Sequence, residues 1–494
     1  MYADRDFDQI GPLQPRADAL VADLGAAALF SAMSGDDVWL SKVIHKAVTQ
    51  PLVTVDEVLY RQDALRDAIE HEEIVRAFYG LATEVIENER KRFYRSGRSP
   101  SSVLYWSVEL LEMLAKYLRR LRASADANAD LFQSVAFRRL LTALREELSD
   151  DYLDVVERHL RILKFRDGML LSARLGEGNK GTDYVLREPP RDERGWFARF
   201  FDLGRSGPFT LRISDRDESG ARALADLRDR GLNGVVNAVA QACDHLLSFF
   251  DMLRAELGFY VGCLNLRSQL LGAGLPLCFP EPVGLGSRAL LAEDVYDPCL
   301  ALHVGEAIVR NDVNADGKAL VVVTGANQGG KSTFLRAIGL SYVMMQAGMF
   351  VPARSLRAGL SSGIFTHFKR EEDVEMKSGK LDEELRRMSD IVDALRPHDV
   401  VLFNESFAST NEREGSEIAR QITTALLESG VRVMFVTHHF EFTRILGERD
   451  DALFLRAERL DDGTRTFKLV AGRPLETSFG IDLYRNVFEG PSTT

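Results

Sequence analysis

The first third of the chain carries apolar residues at helical spacing. The pattern runs through VADLGAAALFSAM, EVLYRQDALRDAI and SVLYWSVELLEMLAKYLRRLRA, and Gly and Pro are scarce in these stretches. The first clear interruption is YRSGRSPSS, around Gly97 and Pro100, which is typical of a loop between helices. Because an apolar residue every three or four positions marks one buried helix face, we predict a mostly helical segment within residues 1–164.

The pattern then changes twice. Between residues 165 and 217 Gly and Pro are frequent, and short alternating stretches such as YVLRE and FTLRI occur. This predicts a small β-containing insertion or a pair of loops. Helical spacing returns over residues 218–273. Two long helices on either side of an insertion form either an elongated antiparallel arm or a compact bundle with a long loop, and the pattern leaves both open.

Residues 274–494 show an α/β pattern. The runs ALVVVTG, DVVLFNE and VRVMFVTH are short, apolar and rich in β-branched residues. Such runs are typical of strands that are buried on both faces of a parallel sheet. Helical segments separate them, so we predict a mostly parallel sheet with flanking helices.

Composition narrows the class of protein. With 494 residues, 45% of them apolar and 28% charged, the chain has the composition of a folded protein of about two to four domains. We expect a cytoplasmic protein without membrane spans, because no apolar run reaches about 18 residues and MYADRDFDQI has no apolar signal segment. The cysteines lie far apart and suit reduced, packed thiols; they are Cys243, Cys263, Cys278 and Cys299.

A glycine-rich motif follows the first of these strands. The segment is Gly325, Ala326, Asn327, Gln328, Gly329, Gly330, Lys331 and Ser332, followed by Thr333, and it fits G-x-x-x-x-G-K-[ST]. Glycines let backbone N–H groups turn towards phosphate oxygens, and the next helix presents its positive end to the same anion. Lys331 suits the β- and γ-phosphates, and the Ser332 hydroxyl suits Mg²⁺. The flanking strand and helix argue against a chance match, so we predict an ATP site.

Two more strands end in residues suited to this chemistry. Glu405 is the candidate general base that orients the attacking water, with a solvated strand-end acid as the alternative. Asn404 precedes it and can accept a hydrogen bond from a metal-bound water, although it carries no charge. We therefore predict slow ATP hydrolysis, or sensing of ATP by binding alone. His438 is the candidate γ-phosphate sensor, favoured over His439 because it comes first after its strand; a structural histidine is the alternative.

Taken together, these motifs resemble the ATPase of the MutS mismatch-repair family, within the ABC class. TGANQGGKSTFLR is similar to the family's TGPNMGGKST-[FY]-[LM]-R, LFNESFASTNEREG to L-x-D-E-x-G-R-G-T-x-x-x-D-G, and VTHHFEF to A-T-H-Y-x-E-L. IVRNDV resembles F-V-P-N-D, which makes Asn311 a candidate ATP-binding residue. SFGIDLYRNV and TQPLVTVDEVLYRQDALRDAI resemble family segments more weakly. Asn404 departs from the pattern, because the family has Asp there.

The resemblance implies an architecture. It implies an ABC-type ATPase over 274–494, a helical core domain beginning in 1–164, a clamp-like insertion at 165–217 and lever helices over 218–273 that return to the core. It leaves no room for the family's N-terminal mismatch-reading domain. It also implies a homodimer that closes on ATP, each site being capped by the other subunit's signature serine. Ser378 in EMKSGKLDEEL is the candidate, with an ordinary helix N-cap as the alternative.

The implied function is an ATP-gated DNA-binding protein acting on structured or mismatched DNA. Candidate phosphate contacts lie in ERKRFYRSGR and are Arg90, Lys91, Arg92, Arg95 and Arg98. This cluster suits a solvated loop equally well. The net charge of −12 argues against wholesale coating of DNA but leaves room for a local basic patch. The alternative is a nucleotide-switched scaffold that gathers protein partners and binds no DNA.

Overall fold

The computed structural model of the chain contains 14 α-helices and three sheets among the residues that it describes. The described residues are 1–92, 99–166, 168–187, 213–214, 216–370, 379–460 and 463–474. The chain divides into two compact units. The first unit comprises Met1–Arg76, Phe132–Arg138 and Ala255–Thr494, and the second comprises Ala77–Leu131 and Arg139–Arg254.

The first unit opens with four helices, which are α1 (Ala17–Leu24), α2 (Ala27–Ser34), α3 (Val38–Thr49) and α4 (Val55–Glu70). Polar side chains begin two of them. Asp37 accepts hydrogen bonds from the N–H groups of the first turn of α3, and Thr54 does the same for α4. In the described part of the chain no single helix has the length and apolarity to span a membrane, and only α1 and α2 taken together, bent by 92°, pass that test.

The second unit is mostly helical. Its helices are the later part of α5 (Glu72–Arg92), then α6 (Pro100–Asn128), α7 (Val135–Glu147, from Arg139), α8 (Asp150–Leu163) and most of α9 (Glu218–Gly272). The predicted helical segments are thus confirmed, and the pattern from residue 218 is one continuous helix of 55 residues. The two arrangements that the sequence leaves open, an elongated antiparallel arm and a compact bundle, both stay hypotheses.

The predicted insertion does contain β-structure. Strands β1 (Leu170–Leu175) and β2 (Gly181–Arg187) pair antiparallel, and β2 contains most of the predicted YVLRE stretch. The second predicted stretch, FTLRI, lies outside the described residues except for Ile213.

A six-stranded sheet forms the centre of the first unit. Its strands are β6 (Leu320–Gly325), β8 (Ile364–Phe368), β9 (Val400–Asn404), β10 (Arg432–Val436), β11 (Ala452–Arg459) and β12 (Arg465–Ala471). Their spatial order is β12-β11-β6-β10-β9-β8, and all pairs are parallel except β11 with β12. Helices α11 (Lys331–Gln346), α12 (Lys380–Val392), α13 (Glu412–Glu428) and α14 (Phe440–Leu446) alternate with these strands.

The three strands predicted from apolar runs are therefore confirmed, as is the mostly parallel sheet. Their residues are buried almost without interruption, as expected where helices cover both faces. A four-stranded sheet accompanies it, in the order β3-β7-β4-β5. Its strands are β3 (Glu281–Val283), β4 (Leu290–Val295), β5 (Asn311–Asn314) and β7 (Ser355–Gly359), and α10 (Pro298–Val304) lies between β4 and β5 along the chain.

Candidate functional site

A sharp turn joins β6 to α11. Three of its residues have positive φ angles, namely Gly325 at 110°, Gln328 at 59° and Gly330 at 88°. Gly325 is also required sterically, because a Cβ there would lie 2.9 Å from the backbone nitrogen of Ala457 on the neighbouring strand β11. This curled backbone ends where α11 begins at Lys331, so the loop and the positive end of the helix face the same space.

Lys331 is buried at the start of α11. Its ammonium group donates hydrogen bonds to the carbonyl oxygens of Gly325 at 2.9 Å and Ala326 at 3.0 Å. Burial lowers the pKa of Lys331, the carboxylate of Glu405 acts in the opposite direction, and the charge of Arg465 adds to the lowering. The loop therefore holds a desolvated cation, which is a favourable partner for an anion.

Ser332 meets Asn404 at the edge of the sheet. The Ser332 hydroxyl donates to Oδ1 of Asn404 at 2.9 Å, although the two residues are 72 positions apart. Strand register explains this contact, because Val436 on β10 pairs with both Val323 on β6 and Asn404 on β9. The carboxyl ends of the three strands consequently lie side by side. The two residues predicted to act on Mg²⁺ are thus brought together.

Glu405 follows β9 in a left-handed conformation, with φ at 52°. Its N–H donates to the carbonyl oxygen of Val436 at 2.9 Å, and its side chain lines a cavity beside the glycine-rich loop. His438 is exposed and does not line that cavity, whereas His439 is buried. The two imidazoles stack with centroids 5.0 Å apart, and burial is the main cause that lowers the pKa of His439. The role of His438 stays a prediction.

A cavity of about 430 Å³ lies beside the loop. One end is polar and is formed by residues 328–333 with Glu405. The rest of the wall is largely apolar and comes from the end of β4, from α10 and the residues on either side of it, and from β12. It includes Val295, Tyr296, Leu300, Val304, Ile308, Val309 and Phe467. Asn311 also lines it and joins β5 to β12, because its amide donates to Phe467 O at 3.3 Å and accepts from Leu469 N at 2.7 Å.

Besides the apolar wall, two charged residues beside the loop and the cavity were not predicted. Asp297 begins α10, accepts from the N–H groups of Cys299 and Leu300, and forms an ion pair with Arg336 of α11 at 3.0 Å. The Asp297-Pro298 pair is a helix-start signal that could have revealed α10. Arg465 on β12 donates to the Gln328 side chain at 3.2 Å, and its Nη2 is buried without a hydrogen-bond partner among the described residues. No local sequence signal marks Arg465.

Several predicted residues do not line the cavity or lie outside the described residues. Asn327 is exposed on the loop. Ser378, Arg95 and Arg98 lie outside the described residues, as does the side chain of Arg92. Arg90 and Lys91 are exposed near the end of α5, where Lys91 lies 3.8 Å from Glu87. Their contacts with DNA stay predictions.

The cysteines take no part in this site. All four are free thiols, and Cys243, Cys263 and Cys299 are buried. Burial raises the pKa of each thiol above its ordinary value, to about 12 for Cys243 and Cys299. Within the described part of the chain, no group of three or more His, Cys, Asp or Glu side chains is placed to hold a metal ion. The thiols are therefore packing residues in this fold.

A parallel strand, a glycine-rich turn and a helix that opens with Lys-Ser have the geometry of phosphate-loop proteins. Comparison with known proteins makes the relation closer. A family model described as the MutS2 N-terminal domain matches residues 53–272, and one described as MutS domain V matches residues 321–490. The chain belongs to the MutS family, whose members are ATPases related to DNA mismatch repair.

Individual relatives agree with this assignment. The DNA mismatch repair protein MutS of Protochlamydia amoebophila is 23% identical over 504 residues, covering 90% of this chain and 56% of the relative. The DNA mismatch repair protein MutS 2 of Halobacterium salinarum is 31% identical over 283 residues, covering 56% of this chain and 32% of the relative. The DNA mismatch repair protein MutS of a Synechococcus strain is 28% identical over 275 residues, covering 50% of this chain and 30% of the relative. The chain thus spans about half or less of these relatives.

Proposed function

We propose that the cavity binds ATP with Mg²⁺ and that the chain hydrolyses ATP slowly. The contact between Ser332 and Asn404, directly below the phosphate loop, carries this proposal. A cavity of about 430 Å³ is in the range of nucleotide-sized pockets. Hydroxyl and amide oxygens are donor types that suit Mg²⁺, which usually keeps several waters and binds through substrate phosphates. The donor set therefore fits the ion, with one negative charge fewer than a carboxylate would supply.

Each part of the cavity has a task in this proposal. The apolar wall receives the base of the nucleotide, and the loop N–H groups and Lys331 receive the phosphates. Arg465 offers its second guanidinium nitrogen to the same anion. Glu405, at the polar end, orients the water that attacks the γ-phosphate. Bound Mg²⁺ would neutralise charge that develops on the phosphate oxygens.

The larger mechanism is part of the same proposal. Two subunits close on ATP in the manner of ABC engines, and closure moves a helical core and lever so that a dimeric clamp changes its grip on structured or mismatched DNA. The family assignment supports this, as do the long helices of the second unit. For ATP to drive closure, it must bind the closed dimer more tightly than the open one.

A gel-shift experiment tests the DNA proposal. The purified chain is titrated onto duplex, junction and mismatched DNA, with and without ATP, at several salt concentrations. We expect binding that weakens steeply with salt and responds to ATP, because phosphate contacts release counterions. Replacement of Arg90 and Lys91 by Gln should weaken binding if they contact phosphates. Absence of binding to all three DNAs at low salt would refute DNA recognition.

One observation favours a different function. The net charge of −12 suits a protein that gathers partners, so the second candidate is a nucleotide-switched scaffold that binds no DNA. Affinity capture with ATP and with ADP distinguishes the two. A scaffold should retain different proteins in the two nucleotide states and should not shift DNA, whereas identical captured sets would count against a switch.

A further inference from the structure

His367 occupies a fully buried position on β8, next to the strand that leads to Glu405. Its Nδ1 lies 2.7 Å from the hydroxyl oxygen of Ser406, and its Nε2 lies 3.0 Å from the carbonyl oxygen of Glu384 on α12. Ser406 is also fully buried, and its hydroxyl lies 2.5 Å from the carbonyl oxygen of His367. One imidazole thus joins a strand, a helix and the residue after Glu405.

The hydrogen-bond pattern assigns a form to this imidazole. A carbonyl oxygen can only accept, so Nε2 carries the proton that is donated to Glu384 O. Burial, followed by the charge of Arg387, lowers the pKa of His367 to about 4, so the ring is neutral near pH 7. The Ser406 hydroxyl then has one proton for two acceptors, the carbonyl oxygen of His367 at 2.5 Å and neutral Nδ1 at 2.7 Å. Ser406 is thus bound to both the ring and the backbone of His367.

The linked segment has an unusual backbone. Glu405 and Phe407, on either side of Ser406, have φ angles of 52° and 62°. Non-glycine residues adopt this region rarely, and they remain there only when their surroundings hold them. Two contacts from His367 do so, because its ring also stacks on Phe407 with centroids 5.3 Å apart and planes inclined by 19°. The side chain of Glu405 points into the cavity from this segment.

We propose that His367 is a positioning residue for Glu405, holding the segment 405–407 through the Ser406 hydroxyl and the Phe407 ring so that the carboxylate faces the phosphate end of the cavity. This inference rests on the proposed ATPase function, in which Glu405 orients the attacking water. His367 itself touches no nucleotide atom in this role. Its contribution is therefore to turnover, while nucleotide binding depends on the loop and Lys331.

The first experiment compares two buried serines in the same unit. Ser406→Ala removes a hydroxyl that bonds to His367, whereas Ser416→Ala on α13 removes a buried hydroxyl that has no hydrogen-bond partner among the described residues. We expect Ser406→Ala to lower kcat for ATP by about 10–100-fold, the range for slight misplacement of a catalytic group. KM for ATP and the affinity for an ATP analogue should change less than about twofold, because the contacts that bind the nucleotide in the ground state are retained. Ser416→Ala should keep the wild-type kcat.

The second experiment uses His367 itself, so that the test survives if one variant fails to fold. His367→Gln keeps one acceptor and one donor at similar separation, whereas His367→Leu keeps neither. We expect the Gln variant to retain kcat at least about fivefold above the Leu variant at equal nucleotide affinity. Equal kcat for the two folded variants would overturn the positioning role, because packing alone would then explain the residue.

A double mutant separates this inference from the proposed function. If Ser406 acts through Glu405, adding Ser406→Ala to Glu405→Gln should lower the residual rate by less than about twofold. Independent, multiplicative losses would refute the link. If Glu405→Gln alone keeps the wild-type rate, the proposed base is wrong. If Glu405→Gln abolishes turnover but Ser406→Ala matches Ser416→Ala, only the positioning inference fails.

Discussion

The substitution Asn404→Asp tests the origin of the predicted slow hydrolysis. Asn404 accepts a hydrogen bond from Ser332 at 2.9 Å and is partly buried at the end of β9. An aspartate of the same shape would keep this acceptor oxygen and add one negative charge beside the serine. It would also stand next to Glu405, so its effect on the empty protein differs from its effect on the loaded one.

Opposing electrostatic effects set the size of the change. A unit charge about 4 Å from another contributes ~4 kcal/mol at an effective dielectric constant of about 20. Loss of hydration and repulsion from Glu405 oppose this gain. The net change expected for such an outer contact to a metal is about 10–100-fold in affinity or rate, equivalent to ~1.4–2.8 kcal/mol. We therefore expect Asn404→Asp to lower the Mg²⁺ concentration for half-maximal turnover and to raise kcat by this factor.

The assay is steady-state ATP hydrolysis measured over a Mg²⁺ titration at saturating ATP. The matched control is Asn314→Asp, which adds the same charge at an exposed position on β5. Thermal melting without nucleotide is the second measurement. Repulsion between the carboxylates at positions 404 and 405 should make the empty Asn404→Asp variant less stable than wild type. Addition of ATP and Mg²⁺ should recover this loss.

An unchanged Mg²⁺ dependence would refute this reasoning. If Asn404→Asp and Asn314→Asp gave the same half-saturating Mg²⁺ concentration and the same kcat, the residue at position 404 would have no part in holding the metal. The contact with Ser332 would then be a structural hydrogen bond only.

Three further predictions concern neighbouring residues. Glu405→Gln should lower kcat by at least about 100-fold with ATP binding retained, as measured by turnover and by nucleotide titration, and an unchanged rate would exclude it as the base. Arg465→Gln should weaken ATP binding by about 10-fold, or ~1.4 kcal/mol, whereas the control Arg456→Gln on β11 should leave it unchanged. Binding is measured by titration with a fluorescent ATP analogue, and equal affinities of the two variants would show that Arg465 does not contact the nucleotide. Folding lowers the pKa of His367 from 6.5 to about 4, so as the pH falls the imidazole takes up a proton in the unfolded chain before it does so in the folded one. The stability that neutral His367 contributes near pH 7 is therefore lost as the pH falls from about 6.5 to 4. The stability advantage of wild type over His367→Gln should thus shrink by ~2 kcal/mol between pH 7.5 and pH 5 in denaturant titrations; a constant difference would contradict the assignment.

Local patterns predicted much of the site. Apolar runs located β6, β9 and β10 to within one or two residues, because strands buried on both faces need such runs. The glycine-rich motif marked the turn before α11, since residues with positive φ favour glycine. Asn404 and Glu405 were chosen because they end a strand, and the structure places both beside the loop.

Long-range partners escaped prediction. Arg465 and Gln328 are 137 positions apart, and His367 and Ser406 are 39 apart. Their contacts depend on the strand order β12-β11-β6-β10-β9-β8, which does not follow the order along the chain. A periodic pattern predicts that a strand is buried but not which strand lies beside it, so no reading of single segments reveals these pairs.

The sequence by itself thus predicted the helical segments, the strands β6, β9 and β10, the phosphate loop and the family to which the chain belongs. These depend on local backbone preferences and on residue types at short spacing, which the chain carries directly. Only the tertiary structure decided that Ser332 meets Asn404, that α10 and β12 contribute to the wall of the cavity, and that His367 contacts the residue after Glu405. The physical reason is that parallel pairing aligns the carboxyl ends of strands from distant parts of the chain, and side chains meet only once that sheet has formed.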